Sequence, residues 1–215
     1  MTNTMPAKSI ILYGGTFNPI HLGHIQPVMQ AAERVHPEKL IYIPCNIPPH
    51  KVLPDVTSQH RLNMTNLALM PYNEQSKFQI DVCDFELSQS QTSYTRYTVE
   101  HFANLYPEHT LYLLIGMDSL LQFHTWHKWQ EILEFAELLV MQRPNYDQTN
   151  NEIAPRILAK TQFVVTEQVD ISSSEIRNFL NETVSLEKSP LSSKPESTFI
   201  PVPVLEYIKQ HKLYL

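Results

Sequence analysis

Two histidines three residues apart, His21 and His24, close the stretch Gly14 to His24, GGTFNPIHLGH. On a helix that spacing brings both rings to one face. Imidazoles beside a helix N-terminus can donate hydrogen bonds to phosphate oxygens and offset the charge that develops in phosphoryl chemistry. The chain has only 4 glycines, where average usage gives about 15. Gly14, Gly15 and Gly23 fall in this stretch, and the fourth is Gly116. A chain so sparing with glycine places it where backbone turns tightly or approaches a ligand closely. The plain alternative is a βα turn with two surface histidines. A metal-binding pair fits less well, because the zincin helix spaces its histidines by four with Glu after the first, and here Leu22 follows His21. GxGxxG is absent and no GK[ST] follows, so the stretch is neither a dinucleotide fingerprint nor a Walker loop.

Other chemistry-bearing residues lie further along. Two prolines stiffen NIPPHK, Asn46 to Lys51, so that Lys51 is either held over bound phosphate or simply solvated. Ser93 and Thr95, in QTSYTRY, are natural caps for the helical stripe that follows. Gly116 ends an apolar run, and Asp118 beyond it either caps a helix or accepts ribose hydroxyls. Trp126 and Trp129 are core anchors, or one of them stacks on a flat ring in a cleft. Arg143 follows another apolar run and is a phosphate or ribose contact or a surface charge. In ISSSEIRN, Ile171 to Asn178, Ser172 and Glu175 have the capping-box spacing. That marks a helix start rich in hydroxyls, with Arg177 one turn in. It reads as a second anion site at Ser172 and Ser173, or as a cap alone.

These residues need strands and helices to hold them. Apolar and β-branched runs predict strands at Ile10–Tyr13, Lys39–Pro44, Phe78–Val82, Thr110–Ile115, Leu138–Met141 and Phe163–Val165. Helical patterns fall between them: Val28, Ala31, Ala32 and Val35; residues 59–70, closed by Pro71; Val99, Phe102, Ala103 and Tyr106; residues 153–159, with Pro155 in the first turn; the segment from Ser172; and 204–209. Alternating strands and helices predict an α/β fold, a doubly wound, mainly parallel sheet. Ligands of such sheets bind outside the carboxyl ends of the strands, where the candidate residues lie. The 215 residues suffice for one domain spanning 1–215. Residues 1–8 read as a disordered lead, 145–151 as a polar loop and 186–197 as a mobile connection.

Composition narrows the partners. A formal net charge of −6 and a pI near 5.9 argue against nucleic acid as the main partner. They leave room for a small phosphorylated substrate on a local cluster of Lys, Arg and His. Two distant cysteines, Cys45 and Cys83, have no zinc spacing and fit a reducing, cytoplasmic setting. No apolar run approaches a membrane span, and the N-terminus does not read as a signal peptide.

The stretch Gly14–His24 resembles the GGTFDPxHxGH signature of the nucleotidyltransferases that share an HxGH site, with Asn18 where many relatives carry Asp. ISSSEIR is similar to the ISSxxIR segment of the same superfamily. Apart from the first few residues and 186–197, the chain resembles the bacterial nicotinate-nucleotide adenylyltransferases along its length. That resemblance implies adenylyl transfer from ATP to nicotinate mononucleotide, giving nicotinate adenine dinucleotide and diphosphate, with Mg²⁺ arriving on the ATP rather than in a protein cage. It implies that His21, His24, Lys51 and Arg177 act on the phosphates. Gly14, Gly15, Thr16, Phe17, Ile171, Ser172 and Ser173 would hold ATP. Thr95, Asp118, Trp126 and Arg143 would hold the mononucleotide, the SYT backbone lying against the pyridine carboxylate and Trp126 stacking on the ring. Alternatives are transfer to nicotinamide mononucleotide or phosphopantetheine, or a nucleotide-binding regulator without catalysis. A homo-oligomer is left open.

Overall fold

The computed structural model describes residues 8–46, 56–89, 92–143, 153–184 and 199–214. Lys51, the expected lead over residues 1–8 apart from Lys8, the polar loop at 145–151 and the 186–197 connection lie outside them.

Six strands form one sheet: β1 (Ser9–Gly15), β2 (Lys39–Pro44), β3 (Gln79–Val82), β4 (Thr110–Gly116), β5 (Glu137–Gln142) and β6 (Thr161–Val165). Their order is β3-β2-β1-β4-β5-β6, and every pairing is parallel. The chain therefore winds outward from β1 in one direction, then crosses to β4 and winds in the other. Parallel strands covered on both faces read as continuous apolar runs, as IILY and LYLLI do here. Along β1, Ile11 enters one core layer while Ile10 and Leu12 enter the other. Along β4, Tyr112 and Leu114 face the first layer and Leu111, Leu113 and Ile115 the second.

The first layer is covered by α1 (Leu22–Val35), α2 (Ser58–Asn73), α7 (Ser173–Val184) and α8 (Val202–His211). The second is covered by α3 (Thr95–Leu105), α4 (Met117–Gln122), α5 (Trp129–Phe135) and α6 (Pro155–Leu158), with a single 3₁₀ turn at Phe123–Thr125. Among the described residues no helix is long and apolar enough to cross a membrane.

Two local expectations are corrected. Pro71 does not close α2, which runs on to Asn73. A missing N–H costs one bond, and the chain beyond is held by the N–H groups of Gln75 and Ser76, both donating to the Tyr72 carbonyl. Ser93 and Thr95 do not cap α3: the N-cap is Tyr94 and no side chain bonds there. Ser93 Oγ instead accepts the Asn46 N–H at 3.0 Å, linking this segment to the exit of β2. None of the four glycines has a positive φ. The reversal after β1 falls on Phe17, at φ 47°, followed by a cis peptide between Asn18 and Pro19.

Candidate active site at the strand switch point

A cleft of about 850 Å³ opens where the winding direction changes, between the ends of β1 and β4. This is where doubly wound sheets bind ligands.

The turn after β1 forms its floor. Phe17 is buried, with its ring 5.8 Å from Tyr13, 5.9 Å from Tyr42 and edge-on to His24 at 5.3 Å. Gly15 is small because a Cβ there would stand 2.5 Å from the Phe17 ring. His21 is the N-cap of α1, and its Nδ1 accepts the Gly23 N–H at 3.1 Å. A Cβ on Gly23 would meet that ring at 2.9 Å, so the small residue lets the imidazole lie over the first helical turn. The His21 and His24 rings lie against each other, tilted by 35°, with centroids 3.8 Å apart.

His21 is 4 % exposed, and burial pushes its pKa down from 6.5 to about 4, against a smaller opposing pull from the Glu175 charge. With Nδ1 accepting, its proton is on Nε2. In the free protein the ring is therefore a neutral donor.

The wall opposite comes from α7. Ser172 and Glu175 form the expected capping box: the carboxylate accepts the Ser172 N–H at 2.8 Å and its hydroxyl at 2.6 Å, and Ser172 Oγ accepts the Glu175 N–H at 3.2 Å. These bonds hold the Glu175 carboxyl below the usual carboxylate range. Ser172 is thus committed to the cap, which leaves the next N–H groups of the helix start to face an anion. The Ser173 hydroxyl donates to the Pro19 carbonyl at 3.1 Å. Arg177 donates to the Asn18 carbonyl at 2.8 Å and to Ser174 Oγ at 3.1 Å. Two segments some 155 residues apart are thereby stitched edge to edge.

The third side follows β4 and β5. Asp118 lies in the first turn of α4, yet the N-cap is Gly116 and no side chain bonds to the helix start. The carboxylate faces the cleft instead, beside Tyr13, whose phenol is pushed up by burial and then by that charge. Trp126 also lines the cleft, packed on Phe123 at 5.3 Å. Trp129 does not; it packs on Phe123 and Arg156. Arg143, just past β5, lines the cleft and donates to Gln168 Oε1 at 2.6 Å.

The cleft therefore gathers Gly14, Gly15, Thr16, Phe17, His21, His24, Asp118, Trp126, Arg143, Ile171, Ser172, Ser173 and Arg177. Thr95, the first residue of α3, is not on its lining. Sequence reasoning missed Arg61 and Tyr214. The Tyr214 hydroxyl donates to Asn18 Oδ1 at 2.6 Å. Arg61 is 1 % exposed and donates to the Thr16 and Cys45 carbonyls, both at 2.7 Å. The spacing Arg61, Met64, Thr65, Ala68 does put Arg61 on the buried face of α2.

The profile of the cytidylyltransferase-like family matches residues 12–179. The chain belongs to this family. Within it, the curated relatives named probable nicotinate-nucleotide adenylyltransferase include one from Shewanella frigidimarina, 32% identical over 221 residues, covering 94% of this chain and 98% of the relative. Another, from Idiomarina loihiensis, is 31% identical and covers 95% and 98%. Among solved structures, the Plasmodium falciparum nicotinic acid mononucleotide adenylyltransferase complexed with NaAD has a TM-score of 0.72 at 23% identity, covering 96% of this chain and 97% of its own. A structure from Vibrio parahaemolyticus, described as a putative nicotinate-nucleotide adenylyltransferase, has a TM-score of 0.64 at 19% identity, covering 96% and 95%. These two likenesses show that the chain shares the fold of those structures.

Proposed function

We propose that this protein transfers the adenylyl group of ATP to nicotinate mononucleotide, releasing diphosphate and forming nicotinate adenine dinucleotide, a step of NAD biosynthesis. The observation that carries the reading is convergence. The adjoining His21 and His24 rings at the start of α1 and Arg177 at the start of α7 meet in one cleft at the switch point, with Trp126 on its far wall. The curated relatives over the full chain carry the matching name.

The nucleophile is a phosphate oxygen of the mononucleotide. It is anionic at neutral pH and needs no strong general base. It attacks the α-phosphorus of ATP; the new P–O bond forms as the α–β bridging P–O bond breaks, and the electron pair leaves on diphosphate. What opposes the reaction is repulsion between two anions and the entropy of aligning them in line.

The protein answers with position and polarity. The Nε2–H of His21, the ring of His24 and the guanidinium of Arg177 donate to phosphate oxygens, as do N–H groups at Gly15, Thr16 and Ser173. Lys51 adds its charge. Gly14, Phe17, Ile171 and Ser172 shape the ATP subsite. Asp118 accepts ribose hydroxyls, Trp126 stacks on the pyridine, and Arg143 contacts ribose or phosphate. The pyridine carboxylate extends past Trp126, beyond the cleft lining, to the N–H groups near Thr95 at the start of α3, which no side chain caps.

Among the described residues no cluster of three or more His, Cys, Asp or Glu could cage a metal. Mg²⁺ would come with the ATP and keep most of its water, and with Asp118 given to the ribose hydroxyls the Asp170 carboxylate on the cleft lining would face it. Bound there, Mg²⁺ supplies neutralising charge to the leaving diphosphate.

The test is diphosphate release with ATP and Mg²⁺, comparing nicotinate mononucleotide, nicotinamide mononucleotide and phosphopantetheine. Strong preference for the nicotinate acid is expected. Preference for either rival removes the pyridine-carboxylate assignment, and no release from folded, ATP-binding protein removes the enzyme reading.

A further inference from the structure

Arg61 presents a puzzle that the reaction above leaves open. It is a cation 1 % exposed on α2, and among the described residues no carboxylate forms an ion pair with it. Burying a charge without a countercharge is costly. Its Nη1 donates to the carbonyls of Thr16 and Cys45 at 2.7 Å each, and its Nη2 to that of Asn46 at 3.5 Å. Thr16 belongs to the turn after β1; Cys45 and Asn46 form the exit of β2. The same two exits are tied by the Cys45 N–H donating to the Gly15 carbonyl at 2.9 Å.

In a trans peptide the C=O and the following N–H point in opposite directions. Turning a carbonyl onto Arg61 therefore aims the next N–H away from it. The β2 exit provides a check. The Cys45 carbonyl faces Arg61, and the Asn46 N–H duly points the other way, onto Ser93 Oγ at 3.0 Å. In the turn after β1, the Thr16 carbonyl faces Arg61, so the Phe17 N–H is aimed away from the guanidinium, and Phe17 lines the cleft. The Asn18 carbonyl is likewise taken up by Arg177. Two carbonyls of this turn are thus turned onto guanidinium groups.

We propose that Arg61 is a positioning residue for adenylyl transfer: it holds the Thr16 carbonyl away from the cleft so that the Phe17 N–H meets the phosphates of ATP, and its charge adds to the field those phosphates meet. The role rests on the adenylyl-transfer reading, but its ATP-binding half stands apart from the identity of the second substrate. It differs from a mere tether, which would move stability alone.

Two measurements test it. In ¹⁵N-labelled wild-type protein titrated with ATP, the Phe17 amide resonance is expected to be among those that move most; a Phe17 amide unmoved at saturation overturns the proposal, whatever the variants do. In R61Q, which loses the charge, ATP dissociation constants are expected to rise about tenfold and to lose part of their salt dependence. R61K keeps the charge but not the planar fork. It is expected to recover most of the ATP affinity while kcat stays about tenfold down. Folded R61Q and R61K with wild-type ATP affinity and kcat overturn the proposal. Should wild-type protein release no diphosphate, the transfer reading fails by itself, and ATP affinity and the Phe17 shift still decide the role of Arg61.

Discussion

His21 enters the folded state as a neutral ring, and that has a thermodynamic signature. Unfolded, it takes up its proton near pH 6.5; folded, near 4. Between those values the unfolded chain binds more protons, so stability rises with pH across that window and falls as pH drops through it. The difference between wild type and His21→Asn in unfolding free energy should shrink by roughly 3 kcal/mol from pH 7 to pH 4, as read from denaturant titrations. A pH-independent difference would remove the buried neutral histidine. The role proposed for His24, whose ring lies against it, is on the transition state. His24→Ala should lower kcat by about 100-fold or more with the thermal midpoint little changed; turnover near wild type would end that role. Both histidines were legible because type and spacing are local facts. The neutrality of His21 was not, because it comes from burial that only the packed fold creates.

Between β1 and α1 the chain reverses without a left-handed glycine, and the four-residue run GGTF divides its labour unequally. Gly14 has room: a Cβ there would meet only the Ile43 carbonyl, at 3.9 Å. Gly15 has none, because the Phe17 ring occupies the space at 2.5 Å. Gly14→Ala should therefore stay within about 1 kcal/mol of wild type, while Gly15→Ala should cost about 1–3 kcal/mol. The second change should also depress turnover by displacing Phe17, whose backbone already sits at a φ of 47°. Urea titration with an activity assay on each variant checks the contrast, and equal effects would contradict it. Elements were legible wherever the signal was periodic or paired within a few residues: the six apolar runs, and the Ser172–Glu175 box that holds α7. Boundaries set by what the chain meets later were not. Pro71 reads as a helix end only until the bonds to Tyr72 beyond it are seen. Ser93 reads as a cap until Asn46, 47 residues away, claims its hydroxyl.

At the scale of the molecule, the cleft exists because the sheet changes winding direction between β1 and β4 and because α7 and the C-terminal segment fold back onto the first turn. Contacts this long in sequence leave no local trace. Tyr214 reaches Asn18 across 196 residues, and Arg61 reaches Thr16 across 45; neither partner choice follows from the residues beside it. Asn18 keeps the acceptor oxygen that an Asp would present, and Tyr214 uses it. Tyr214→Phe should cost about 1 kcal/mol and reduce turnover several-fold by loosening the turn, with urea titration and steady-state kinetics as the readouts; unchanged values in both would show that the C-terminus is a bystander. In the proposed mechanism no protein atom bonds to the adenylyl group, so that the transfer is a single in-line displacement. The most direct measurement uses ATP made chiral at its α-phosphorus with nicotinate mononucleotide as acceptor, and reads the configuration of the dinucleotide formed. Inversion is the predicted result. Retention would mean two displacements through an adenylylated side chain, with His21 or His24 the first suspects, and would contradict the mechanism.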